Sequence, residues 1–138
     1  MPFIYQRTIH FQETDAAGVV YFANLPIVCH EAYEASLAET GISLRTFFNN
    51  SGLAVPLTHV QVDFFRPLYC GDRIQISLTP KQLTESKFEI TYDLSLVEVD
   101  ASLISKALTR HACIHPGDRT KIPIPPFLMQ WLERFTHL

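Results

Sequence analysis

Several things are scarce or missing in this chain of 138 residues, and each scarcity removes a class of function. Five glycines are present, too scattered to build a phosphate-cradling loop. Cysteine is confined to Cys29, Cys70 and Cys113, an odd number at wide spacing. Such a set offers neither a disulfide framework nor paired zinc knuckles, and it points to reduced thiols in a cytoplasmic protein. No pair of histidines has convincing metal-ligand spacing, so no metal is expected. The Gly-x-Ser-x-Gly elbow of serine hydrolases is absent. No uncharged apolar run approaches the ~18 residues of a membrane span, and residues 1–7 lack the form of a secretory signal. A dominant sign of charge is missing too. Lys and Arg total 11 against 14 for Asp and Glu, a net charge of −3, which leaves no basic field for nucleic acid.

What remains is ample for one domain spanning residues 1–138. Hydrophobic residues make up 47% and charged residues 18%, enough to fill a core and too apolar for disorder. Residues 3–11 read as a strand, followed by a turn-like run of small and polar residues from Gln12 to Gly18. The period then changes. Leu25, Val28, Cys29, Ala32, Tyr33 and Leu37 recur at spacings of three and four, which predicts a helix over residues 24–40. Asn24 suits its N-cap, Pro26 its first turn and Gly41 its C-terminal stop. A shorter helical piece is expected over residues 44–50. From Ala54 the period becomes two. Val60, Val62 and Phe64 alternate with polar residues and are expected to face inward, until Arg66-Pro67 closes the strand. Two further alternating runs, at Ile74–Leu78 and Phe88–Leu96, and a last strand over residues 102–115 complete the pattern. Turns are expected at Cys70-Gly71-Asp72, Thr84-Glu85-Ser86 and Glu98-Val99-Asp100. Short connections make consecutive strands antiparallel neighbours. Behind Pro125-Pro126, the spacing of Leu128, Trp131, Leu132 and Phe135 predicts a short amphipathic terminal helix. The sum is an α+β arrangement: a curved antiparallel sheet wrapped around one long central helix, with sheets paired across a dimer.

The chemistry concentrates in Thr14-Asp15-Ala16-Ala17-Gly18-Val19-Val20-Tyr21-Phe22-Ala23-Asn24, just before the long helix. A helix start carries unpaired N–H groups and partial positive charge, which stabilise the oxyanion of acyl transfer. Asp15 lies in a loop of small residues that lets a substrate come close to the backbone. Its carboxylate could attack a polarised thioester or draw a proton from water. Local chemistry alone favours a plainer use, an Asx-turn in which Asp15 accepts neighbouring N–H groups.

The balance shifts on a resemblance. Asp15-Ala-Ala-Gly18-Val-Val-Tyr21-Phe22-Ala-Asn24 closely resembles the signature of the 4-hydroxybenzoyl-CoA thioesterase family of hotdog enzymes. A second piece, Val62-Asp-Phe-Phe-Arg66-Pro67-Leu-Tyr-Cys-Gly71-Asp72, is similar to that family's strand and turn. The resemblance runs over residues 4–115. It implies a hotdog fold, a cofactor-independent acyl-CoA thioesterase, Asp15 as catalytic carboxylate and the Phe22 N–H as the group that polarises the carbonyl. It further implies substrate contacts at Gly18, Tyr21 and Asn24, and a homotetramer built from two dimers. One branch of the family commonly has His where Phe22 stands; the aromatic-acyl branch lacks it and keeps an Asn matching Asn24, as here. The acyl groups implied are aromatic, with 4-hydroxybenzoyl or short aliphatic chains as alternatives, and a non-catalytic acyl-CoA-binding module or a hotdog hydratase as rivals.

Other polar residues have plainer expected roles. Glu31 and Glu34 lie opposite the apolar stripe, on a solvated face, although one hotdog branch places a catalytic Glu on this helix. Glu13 reads as a turn or surface carboxylate. His10, His59, His111 and His115 read as satisfied positions in or beside strands. Arg66, Lys81, Lys106, Arg110 and Arg119 are the cations from which contacts to CoA phosphates would be drawn.

Overall fold

The computed structural model describes residues 1–49, 51–97 and 102–136. Five strands, β1 (Phe3–Thr8), β2 (Leu57–Phe64), β3 (Arg73–Gln82), β4 (Lys87–Leu96) and β5 (Leu103–Ala112), form one antiparallel sheet. Three helices accompany them: α1 (Leu25–Glu39), α2 (Leu44–Phe48) and α3 (Pro126–Phe135). The alternation expected of β3 and β4 is realised. Ile74, Ile76 and Leu78 of β3, and Phe88, Ile90, Tyr92 and Leu94 of β4, are fully buried on the inner face. Side chains of this size each contribute about 1.5–3 kcal/mol on burial.

The helix buries Leu25, Val28, Cys29, Ala32, Tyr33 and Leu37 against that face, the stripe read from the sequence, with Ser36 added. Its C-terminus is a Schellman motif. Gly41, at φ +80°, donates to the Ala38 carbonyl, and Ile42 donates to that of Leu37. One helix does not cover the inner face alone. Trp131 of α3 packs edge-on to Phe88 and donates to Ser36 Oγ at 2.9 Å, closing the core at one end.

Some expectations are corrected. The sheet order is β1-β3-β4-β5-β2, so β2 and β3, though consecutive and closely linked, are not neighbours. The chain turns at Cys70-Gly71-Asp72, where Gly71 takes φ +91°, but β3 pairs with β1 and β4 while β2 crosses to the far edge beside β5. That crossing leaves α1 inside the curve. Phe64 does not face inward: it is 46% exposed, and Val60 is 43% exposed, because β2 is an edge strand whose end projects past the core. The first strand ends at Thr8, and a 3₁₀ turn, Phe11–Glu13, follows. The last strand stops at Ala112, so exposed His115 lies beyond it. The turn Thr84-Glu85-Ser86 is present between β3 and β4. The short helix expected over residues 44–50 stops at Phe48, with Asn49 as its C-cap. The turn expected at Glu98-Val99-Asp100 lies outside the described residues.

Candidate functional site

The loop that carries Asp15 is a tight, bridged excursion. Asp15 N–H donates to the Val19 carbonyl at 2.9 Å and Gly18 N–H to that of Asp15 at 3.0 Å. Gly18 closes the turn at φ +77°, a region that side chains rarely adopt. The strand-like residues beyond it are stitched to the β2–β3 link. Val20 donates to the Leu68 carbonyl at 2.8 Å, and Cys70 to that of Gly18 at 3.0 Å. The two sequence motifs are thereby brought side by side.

Asp15 makes the Asx-turn that local chemistry favours: Ala17 N–H donates to Oδ1 at 2.8 Å. That bond uses one oxygen. The other, Oδ2, has no partner among the described residues, and the residue is exposed at a cavity of about 500 Å³. Turn geometry and chemical availability therefore coexist in one carboxylate.

The cavity is walled by Val19, Tyr21, Phe22, Phe64, Phe65 and Arg66, so most of its surface is apolar or aromatic. Phe22 opens a 3₁₀ turn, Phe22–Asn24, that runs straight into α1. Its N–H has no backbone partner among the described residues, as first-turn N–H groups must. No acidic side chain stands in the first turn of either helical piece, so the positive end of the helix is not neutralised. Asp15, with one carboxylate oxygen unpaired, and Phe22, with its N–H unpaired, thus line the same apolar space, an arrangement able to polarise a carbonyl and deliver a nucleophile to it.

The capping expected of Asn24 is corrected. It stands at the N-cap of α1, but its side chain makes no capping bond. Its amide instead donates to the Glu13 carbonyl at 2.9 Å, and that same carbonyl receives Tyr21 N–H at 3.1 Å. Asn24 therefore ties the segment after Asp15 to the segment before it. Gly18 is likewise a shaping residue of the loop.

The supporting cluster beneath the loop was not expected. Arg7, only 6% exposed, pairs with Glu13 and, at 3.1 Å, with Glu31 of α1. Tyr5 Oη donates to Glu31 at 2.6 Å, and Glu13 also accepts His10 N–H at 2.8 Å. Burial and the Glu31 carboxylate push the Tyr5 phenol up to about 12. Neither Glu13 nor Glu31 is therefore a merely solvated carboxylate. The available signal was Arg7 itself, a charged residue on the same face of β1 as Phe3 and Tyr5.

Of the five candidate cations, Arg66 borders the cavity. Lys106 instead pairs with Asp93 at 3.9 Å, and Lys81 lines a separate depression with Glu89. Cys29 and Cys113 are buried and their thiols pushed up, to about 12 and about 11, by burial. Neither is a nucleophile at neutral pH. No group of His, Cys, Asp and Glu suited to a metal ion occurs among the described residues.

Comparison with known proteins agrees with this geometry. Residues 9–132 match the family described as the Thioesterase-like superfamily. The chain is 56% identical over 129 residues, 94% of each chain, to a 1,4-dihydroxy-2-naphthoyl-CoA hydrolase of Rippkaea orientalis. It is 50% identical to that of Nostoc punctiforme, covering 96% of this chain and 88% of the relative. The crystal structure of a 1,4-dihydroxy-2-naphthoyl-CoA thioesterase from Synechocystis superposes with a TM-score of 0.92 at 37% identity, over all of both chains. The chain, with its long helix cradled in a five-stranded antiparallel sheet, has the hotdog fold and belongs to the Thioesterase-like superfamily.

Proposed function

We propose that this chain is a single hotdog domain, residues 1–138, that hydrolyses 1,4-dihydroxy-2-naphthoyl-CoA to 1,4-dihydroxy-2-naphthoate and CoA. The observation that carries the reading is that Asp15, with one oxygen unpaired among the described residues, and Phe22, with its N–H unpaired, line one aromatic-walled cavity. The acyl group comes from the relatives, which carry that name at 44–56% identity. The product is the quinone-ring precursor that phylloquinone (vitamin K1) biosynthesis prenylates.

In the reaction, the thioester carbonyl oxygen accepts from Phe22 N–H, which holds the negative charge that develops there. Asp15 supplies the carboxylate, either attacking the carbonyl carbon or taking the proton of an attacking water. The C–S bond breaks, water provides the new C–O bond, and CoA leaves as the thiol. No cofactor takes part. Tyr21 and Phe22 wall the acyl group, Gly18 keeps the loop open to it, and Arg66, which lines the cavity, is the cation assigned to the CoA phosphates. Phe22 cannot relay a proton, which leaves the acid–base work to Asp15.

The working unit we propose is a homotetramer, a dimer of dimers, in the cytoplasm. The support lies in β2, an unpaired edge with exposed Leu57, Val60, Phe64 and Phe65, onto which a second copy's β2 can pair antiparallel. No helix among the described residues is long and apolar enough to cross a membrane.

Release of free CoA, followed with a thiol reagent, tests the reading on 1,4-dihydroxy-2-naphthoyl-, 4-hydroxybenzoyl-, benzoyl- and short aliphatic CoA esters. The dihydroxynaphthoyl ester is expected to be preferred. Asp15→Asn should bind it and lose roughly 10³-fold or more in kcat, as removal of an essential catalytic member does. Native turnover in that variant refutes the assignment; preference for an aliphatic ester refutes the substrate.

A further inference from the structure

An N–H that stabilises an oxyanion does so best when it is aimed before the substrate arrives. The Phe22 N–H belongs to the Tyr21–Phe22 peptide, which is planar and trans, so it points opposite to the Tyr21 carbonyl. That carbonyl accepts Asn24 N–H at 2.8 Å. The other side of Tyr21 is held as well, since its N–H donates to the Glu13 carbonyl at 3.1 Å. Asn24 closes the ring: its side-chain Nδ2 donates to that same Glu13 carbonyl at 2.9 Å. One residue therefore grips Tyr21 on both sides, through its own backbone on one and through a shared acceptor on the other.

The acceptor is itself anchored. The Glu13 carboxylate pairs with buried Arg7 and accepts His10 N–H at 2.8 Å, which ties it to the end of β1. Thr14, between Glu13 and Asp15, is bonded back to the Phe11 carbonyl through its N–H at 3.2 Å and its hydroxyl at 2.8 Å. The Asn24–Glu13 bond thus joins the stretch that carries the carboxylate to the stretch that carries the N–H. The side chain also forgoes its usual use. An asparagine at a helix N-cap ordinarily accepts a first-turn N–H, a bond that stabilises by about 0.5–2 kcal/mol, and Asn24 makes none. The first-turn N–H groups are left open, and the amide is turned toward Glu13 instead.

We propose that Asn24 is a positioning residue for thioester hydrolysis: its bond to the Glu13 carbonyl fixes the Tyr21–Phe22 peptide so that the Phe22 N–H is aimed in advance at the substrate's carbonyl oxygen. Asn24 touches no substrate atom in this role, and the contact implied for it by resemblance becomes an indirect one through Phe22. The proposal rests on the thioesterase reading of the cavity and adds to it the residue that sets the geometry of the N–H.

Asn24→Ala removes the amide, and two readouts compare it with the native protein. For 1,4-dihydroxy-2-naphthoyl-CoA, kcat should fall roughly 10- to 100-fold while KM stays within about threefold, because an aim lost in the transition state leaves ground-state binding alone. A rise in KM with native kcat overturns the proposal, as that would mark a direct contact. The second readout is the infrared carbonyl stretch of a bound ketone analogue of 2-naphthoyl-CoA, with CH₂ in place of sulfur. In the native protein the band should lie below its position in an aprotic solvent, and Asn24→Ala should return it most of the way. Loss of stability alone does not move that band. An unshifted band in the native protein, or the same band in both proteins, overturns the proposal. Because the ketone cannot be hydrolysed, the band reports on Phe22 even if Asp15→Asn retains native turnover, so the two readings fail separately. If Asn24→Ala does not fold, Asn24→Ser serves in its place. Serine is favoured at a helix N-terminus, and its hydroxyl, one bond shorter, falls roughly 4 Å from the Glu13 carbonyl.

Discussion

Single residues in this protein carry more than one duty, and the sequence shows only some of them. Asp15 is an Asx-turn acceptor through one oxygen and an open carboxylate through the other, so the plain reading and the chemical reading describe the same side chain. Phe64 misled because alternation marks a face without saying whether anything covers it. His111 looked like an ordinary strand residue and proves to be the end of a buried polar chain through Thr109 to Tyr92, stacked on Phe88 at 5.0 Å and only 2% exposed. Burial, with His30 nearby, holds its pKa down at about 4. The unfolded chain takes up a proton at His111 as pH drops below 6.5, while the folded protein refuses it until about 4. This contribution to stability is complete above pH 6.5 and is lost on acidification through 4, about 3 kcal/mol in all. Urea denaturation at pH 7 and pH 4.5 should show it. His111→Gln, which does not titrate there, should lose markedly less stability between those two values, and an equal loss would refute the account.

At the scale of elements, hydropathy period served well where one face is buried and the other wet. The helix α1, with its Gly41 stop, and strands β3 and β4 were legible for that reason, as was α3 behind Pro125-Pro126. Pairing partners were not. Which strand lies beside β5 depends on a crossing that local pattern does not encode. Nor was the brace under the Asp15 loop, because Glu31 is 24 residues from Arg7 and reaches it and Glu13 only once β1 lies along α1. That brace fastens the loop to the helix whose start faces the substrate. Arg7→Met should strand two carboxylates in a partly buried place and destabilise the fold by about 3–5 kcal/mol. Thermal denaturation measures that loss. Since Glu13 also anchors Tyr21 and Asn24 through its carbonyl, kcat should fall at temperatures where the variant is still folded. Native kcat in the folded variant would confine Arg7 to a stabilising part.

For the whole molecule, the sequence indicated the layers, one helix in a curved sheet, and left the division of labour between copies unreadable, since no residue pattern states which edge meets which. The open edge of β2 makes that division testable: Val60→Lys sets a charge on this exposed edge and should lower the mass seen in sedimentation from the proposed tetramer, whereas an unchanged mass would place the interface elsewhere.

The sheet order also sets a timetable for the chain as it is made. The neighbour of β2 is β5, which begins about 40 residues after β2 ends. At ribosomal speeds of ~5–20 residues per second, β2 waits roughly 2–8 s beyond the exit tunnel with both edges open. Through that interval the β3–β4 hairpin can form, whereas Val60, Val62 and Phe64 stand in water on an unpaired strand. Losses during synthesis, to proteases or to clumping of nascent chains, are therefore expected to fall first on this strand, and a holdase chaperone would find its grip there.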